Sequence, residues 1–151
     1  LSIAKKCRGS FVYLIEKSAE ALTYLEKNAK DIKNVKVIKG DITDIGAFNN
    51  LEMADVIISN PPYIKSEDLL NLQTEVKKEP SMALDGGKDG LDFYRIINDN
   101  WNDKLKEHGK LFLEIGEDQG KIINSVLNNF TDINVYKDIY GNDRMVEADK
   151  K

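Results

Sequence analysis

Asn60-Pro61-Pro62-Tyr63 is the group of residues in this chain best suited to chemistry. It follows an apolar stretch, Ala54-Asp55-Val56-Ile57-Ile58-Ser59, and two adjacent prolines continue neither a sheet ladder nor a helix. Asn60 therefore stands at the end of a strand with a side-chain carbonyl to offer, and the prolines leave nearby backbone carbonyls free of ladder bonds. Two such acceptors can take both hydrogens of a planar NH2 group while the Tyr63 ring stacks on its face. An amide or exocyclic amine is a poor nucleophile because its lone pair is delocalised. Acceptors that turn the lone pair toward an electrophile catalyse by position and electrostatics, without a strong base. The plainer alternative is a rigid loop that only ends a strand.

The elements that must position these residues alternate. Residues 11–15 (Phe-Val-Tyr-Leu-Ile) form a short aromatic and β-branched run, read as a buried parallel strand that Glu16 closes. Ser18 caps a helix through residue 30, with Ala21, Leu22, Leu25 and Ala29 at helical spacing. Residues 35–38 are a second strand closed by Gly40-Asp41, and residues 42–51 are a short helix or loop. Residues 54–59 are a third strand. Residues 64–90 read as loop with a helical turn near 69–72. A helix over 91–105 turns Phe93, Ile96, Ile97 and Trp101 to one face, and Gly109 ends that region beside His108, which reads as a solvated cap. Residues 110–115 are a fourth strand. Residues 119–129 are a helix with Ile122, Ile123, Val126 and Leu127 inward. Residues 133–136 and 144–148 close the chain as two strands around a Gly141-Asn142-Asp143 turn.

This order predicts an α/β fold whose sheet is mostly parallel with an antiparallel C-terminal edge. Ligand sites in such sheets lie beyond the carboxyl ends of the strands, where Glu16, Asp41, Asn60 and Glu114 fall. Asp85-Gly86-Gly87-Lys88-Asp89-Gly90 has neither the alternating ligands of a calcium loop nor a phosphate-loop ending, and reads as a flexible, substrate-facing loop or a plain surface turn.

The 151 residues fit one domain, and no linker, repeat or low-complexity tract marks a second. One cysteine (Cys7) and one histidine exclude a disulfide framework and a Cys/His zinc cluster within the chain. A net charge of −4 speaks against a large basic nucleic-acid footprint, and no apolar run approaches the roughly 18–20 residues that span a bilayer. The cytoplasm is the expected compartment.

Ser59-Asn60-Pro61-Pro62-Tyr63-Ile64 after an apolar strand resembles the amino-group methyltransferases that use S-adenosylmethionine. The downstream text resembles one branch, the release-factor glutamine methyltransferases (the PrmC/HemK family). It comprises Glu75-Val76-Lys77-Lys78-Glu79-Pro80, Ala83-Leu84, Gly86-Gly87-Lys88-Asp89-Gly90-Leu91, Leu113-Glu114-Ile115-Gly116, Gln119-Gly120, and Asp138 with Gly141-Asn142-Asp143-Arg144. The resemblance implies a Rossmann-like methyltransferase fold, S-adenosylmethionine as methyl donor with S-adenosylhomocysteine as product, and no metal. The implied substrate is the glutamine amide of a Gly-Gly-Gln motif in peptide chain release factors, without direct nucleic-acid binding.

Carried over by position, Asn60, Pro61 and Tyr63 are the catalytic group, and Pro62 and Ile64 join them in the substrate pocket. Glu16 matches the acidic residue that holds the ribose hydroxyls, Asp41 the one near the adenine amino group, and Ile42 the side chain over the adenine ring. Asn60 faces the cofactor as well. The alternatives are a helix-capping Glu16 and a turn-forming Asp41. Family members carry, ahead of the residues matched here, a small helical domain, a first strand and a glycine-rich cofactor turn. Leu1-Ser2-Ile3-Ala4-Lys5-Lys6 fits the end of the helix after that turn, so the chain is expected to be a partial catalytic domain that binds the cofactor poorly by itself. Two rivals stand beside this reading: a nucleic-acid adenine or guanine amino-group methyltransferase, which predicts a basic recognition segment, and a fragment without catalysis.

Overall fold

A computed structural model describes residues 1–74 and 76–151; Glu75, from the downstream motif, lies outside the described residues. The chain divides into two compact units, Leu1–Asn50 and Leu51–Lys151. Among the described residues no helix is long and apolar enough to cross a membrane.

The first unit pairs two parallel strands, β1 (Val12–Glu16) and β2 (Val35–Lys39), with Glu16 opposite Lys39. Helix α1 (Ser2–Lys6) ends on Lys5 and Lys6, as the helix dipole favours. The Asn34 amide ties α1 to the start of β1 by donating to the carbonyls of Ala4 (3.0 Å) and Ser10 (2.8 Å). Helix α2 (Ala19–Ala29) starts where expected, the Ser18 hydroxyl accepting from the Ala21 N–H at 3.3 Å. Leu22, Leu25 and Ala29 turn inward, whereas Ala21 is exposed. The weakly patterned stretch after β2 contains a 3₁₀ turn, Ile45–Phe48, whose Phe48 is buried. A Cβ on Gly40 would stand 2.5 Å from Phe48 Cζ, so glycine there makes room for the ring.

The second unit holds a four-stranded sheet in the order β3-β4-β6-β5, formed by β3 (Ala54–Ser59), β4 (Leu105–Glu114), β5 (Phe130–Lys137) and β6 (Asp143–Lys150). β3 and β4 are parallel, and β6 runs antiparallel to both its neighbours, which is the expected antiparallel edge. One face is the core: Leu111 opposes Ala148 and Leu113 opposes Val146, all four buried. On the other face Lys110 bridges Glu147 (2.8 Å) and Asp149 (2.7 Å).

The helix read over 91–105 is corrected in extent and in face. It is α-helical only over α3 (Asp92–Ile96), widens into a π turn (Ile97–Trp101), tightens into a 3₁₀ turn (Asn102–Lys104), and β4 begins at Leu105. Its buried residues are Tyr94, Ile97, Asn98 and Trp101, with Phe93 only half-buried. Tyr94 can be fully enclosed because its hydroxyl lies 3.1 Å from both the Glu114 carbonyl and Gln119 Oε1. Asn98 turns in because Asn129 N–H donates to its Oδ1 at 2.9 Å and its own amide donates to Asn128 Oδ1 at 3.0 Å. His108 is not a helix cap: it is exposed in left-handed backbone (φ 61°) where β4 bulges against β3.

The helix read over 119–129 shrinks to α4 (Ile123–Val126). The chain passes through turns before the helix starts, and a Cβ on Gly120 would stand 2.0 Å from Asp143 Oδ2, so glycine there makes room for that carboxylate. Ile123 and Leu127 are buried, while Ile122 faces out.

Candidate active site

Asn60 follows β3 directly, is exposed, and its amide makes no hydrogen bond to a described residue. Pro61 is buried, and Pro62, Tyr63 and Ile64 are half-buried. The register of the parallel pair matches Ser59 with Leu113, so Asn60 and Glu114 come next at the carboxyl ends of adjacent strands. The Tyr63 hydroxyl donates to Glu114 Oε1 across a long 3.4 Å. Burial raises the Tyr63 phenol above its ordinary value and the Glu114 carboxylate adds to this, so Tyr63 remains a neutral donor at physiological pH.

The segment read as a flexible, substrate-facing loop is packed against the backbone of this site. Ile64 N–H donates to the Leu84 carbonyl (3.0 Å), Gly86 N–H to the Ile64 carbonyl (2.8 Å), and Ser66 N–H to the Gly87 carbonyl (2.9 Å). Gly86 and Gly90 are buried. A Cβ on Gly86 would lie 2.7 Å from Tyr63 Cα, and one on Gly90 2.4 Å from the Tyr63 carbonyl oxygen. Two backbones approach this closely only where one of them is glycine. Asp85 serves the same structure, its Oδ1 accepting from Ser66 Oγ (2.7 Å) and Gly87 N–H (2.9 Å). Among the described residues no cluster is arranged to hold a metal ion.

Beside Tyr63 and Ile64 opens a cleft of about 320 Å³, also lined by Gly116, Gln119 and Arg144. A cleft of about 360 Å³ between α3 and α4 contains none of the candidate catalytic, cofactor or substrate residues named from the sequence.

In the first unit, Glu16 ends β1 and Asp41 comes just after β2, so the parallel pairing brings both to one end of that sheet. Both carboxylates have local work. Glu16 Oε1 accepts from Ser18 N–H at 2.7 Å, Asp41 Oδ1 accepts from Thr43 N–H at 2.9 Å, and Lys17 lies 2.7 Å from Asp41 Oδ2. The Lys17 ammonium, bonded to Asp41, holds that carboxyl below its usual range, with the Thr43 amide adding to it. Ile42, next to Asp41, is half-buried. Asn60, Tyr63 and Ile64 belong to the second unit.

Sequence reasoning counted Gln119 among the family motifs and placed it at the start of a helix, but gave it no role. Its side chain is buried among the ends of the site's elements, and the Gly116-Glu117-Asp118-Gln119-Gly120 spacing was the available signal.

No family model matches the chain. The curated release factor glutamine methyltransferase of Thermodesulfovibrio yellowstonii is 39% identical over 155 residues, spanning 99% of this chain and 54% of that protein. Other curated relatives with the same name are 34 to 44% identical. The chain belongs to the release factor glutamine methyltransferase family. It spans about half the length of the curated relatives it matches. Among solved structures, a methyltransferase from Pyrococcus furiosus matches with a TM-score of 0.70 at 22% identity, over 99% of this chain and 67% of that one. A fibrillarin from Aeropyrum pernix, solved with natively bound S-adenosyl-L-methionine, matches with a TM-score of 0.59 at 14% identity, over 91% and 55%. At these identities the likeness concerns the fold, which is that of the Rossmann-like methyltransferases.

Proposed function

We propose that the chain is the catalytic-domain portion of an enzyme that methylates the side-chain amide of the glutamine in the Gly-Gly-Gln motif of peptide chain release factors. The observation that carries this reading is Asn60: an exposed amide without a partner among the described residues, at the carboxyl end of a parallel strand, beside two prolines and a half-buried tyrosine. A fold has no use for an amide there; a reacting NH2 group does. The enzyme would act in the cytoplasm, in translation termination.

S-adenosylmethionine supplies, when bound, a methyl group on a positively charged sulfur and leaves as S-adenosylhomocysteine. Glu16 suits its ribose, because Ser18 N–H engages Oε1 and leaves Oε2 for paired hydroxyls. Asp41 and Ile42 would receive the adenine, Asp41 with lone pairs beyond those taken by Thr43 and Lys17. Asn60 Oδ1 and a backbone carbonyl of the adjoining proline pair accept the two hydrogens of the substrate amide, and the Tyr63 ring covers its face, held by the bond to Glu114. Pro61, Pro62 and Ile64 shape the pocket. The amide so held presents its lone pair in one direction, and its proton is released to water.

The reading is tested with the full-length enzyme, S-adenosylmethionine and a purified release factor, mapping the product by mass spectrometry. Methyl on the Gly-Gly-Gln glutamine, lost when that glutamine is changed to asparagine, is the expected result. Methyl on nucleic acid and none on the protein would refute it.

Glu16→Ala should weaken cofactor binding by roughly 1.5–3 kcal/mol, the worth of hydrogen bonds to a charged acceptor. Turnover at saturating cofactor should change less. Calorimetric titration decides: an unchanged affinity with an altered turnover would remove Glu16 from the cofactor site.

A further inference from the structure

A buried side-chain amide has two donors and two acceptor positions to satisfy, and Gln119, only 6% exposed, satisfies all of them. Its Nε2 donates to the Tyr63 carbonyl (3.2 Å) and the Gly90 carbonyl (3.1 Å). Its Oε1 accepts from Gly116 N–H (2.8 Å) and stands 3.1 Å from the Tyr94 hydroxyl. The acceptor side fixes which way the amide faces, since a flipped amide would set NH2 against the Gly116 N–H. The donors are thereby aimed at Tyr63 and Gly90.

The importance of the Tyr63 bond follows from the two prolines. Pro61 and Pro62 have no N–H, so the loop after Asn60 cannot be tied down through donors of its own at those positions. Its backbone is held by what is brought to its carbonyls, and the bond from Gln119 reaches the one three residues beyond Asn60. Gly90 permits it, because a side chain there would displace the same carbonyl.

We propose that Gln119 is a positioning residue for the Asn60 site: it touches no reacting atom and sets the geometry of the 60–63 loop through the Tyr63 carbonyl. This rests on the function proposed above.

The test is made in the full-length enzyme with a release factor as substrate. Gln119→Met keeps the length and removes every hydrogen bond. It should lower kcat by about 10- to 100-fold, the range expected of a misplacement near 1 Å, with the dissociation constant for S-adenosylmethionine within about threefold of the parent. Gln119→Glu keeps the acceptors and loses the donors. Its kcat should fall similarly at high pH and recover as the pH drops, because a protonated carboxyl again donates to one carbonyl, and this limb should be missing from the parent profile. Unchanged kcat in folded Gln119→Met overturns the proposal. So does a Gln119→Glu pH profile that superimposes on the parent, or failure of both variants to fold, which would make the amide a support of the whole unit. Asn60→Ala separates the two claims. If it too keeps full turnover, the functional reading has failed; if it alone loses turnover, only the role of Gln119 has.

Discussion

On the proposed function, Asn60→Ala should lower methyl transfer to a release factor in the full-length enzyme by about 10²- to 10³-fold, the effect of removing one acceptor or donor aimed at a reacting group, or about 2.7–4 kcal/mol. Its unfolding midpoint in urea stays with the parent. The two halves of the expectation come from the same observation. Asn60 is exposed and its amide has no partner among the described residues, so the folded state loses no contact, and substitutions of that kind usually stay within about 0.5 kcal/mol. On the proposed function, the amide makes its contribution only in the complex with cofactor and substrate. Single-turnover kinetics and urea titration on the same preparation check both. Near-parent turnover, or loss of turnover matched by loss of folded protein, would refute the assignment.

The largest stability effect is expected at Gly90. Gly90→Ala places a methyl group 2.4 Å from the Tyr63 carbonyl oxygen and 3.0 Å from Gln119 Nε2, in a backbone with φ +76°. Left-handed strain costs about 1–2 kcal/mol and overpacking about 1–3 kcal/mol, so a loss of roughly 2–5 kcal/mol follows. Gly141 is the control. It has φ +87° and nothing within 4 Å of its Cβ position, so Gly141→Ala carries the strain alone, about 1–2 kcal/mol. Equal urea midpoints for the two variants would show that the approach of Gly90 to Tyr63 has no energetic weight. Because relief at Gly90 must push the Tyr63 carbonyl away, the folded fraction of Gly90→Ala should also turn over more slowly than the parent.

Much of this arrangement is legible in the sequence alone. Residues 54–59 are apolar and β-branched and end on two prolines, so both the strand and its terminus are local matters of sterics and lost donors. Glu16 with Asp41, and Asn60 with Glu114, fall at the carboxyl ends of parallel pairs because each follows an apolar run of its own. The Gly141 turn made β5 and β6 a hairpin for equally local reasons, Asp138 Oδ1 accepting from the N–H groups of Tyr140 (2.8 Å) and Asn142 (3.0 Å). Whether a polar or aromatic side chain can be buried is a different kind of question, since it depends on partners the chain delivers from far away. Periodicity put Phe93 on the inner face of α3, yet Tyr94 took that place because Glu114 and Gln119 meet its hydroxyl. The sequence placed Gln119 at the start of a helix and said nothing of its burial, yet it lies inside, where Tyr63, 56 residues earlier, offers its carbonyl. The glycine run at 86–90 looked flexible from composition and is a packed backing for the Asn60 loop, since a missing Cβ permits either outcome and only the neighbouring backbone decides between them.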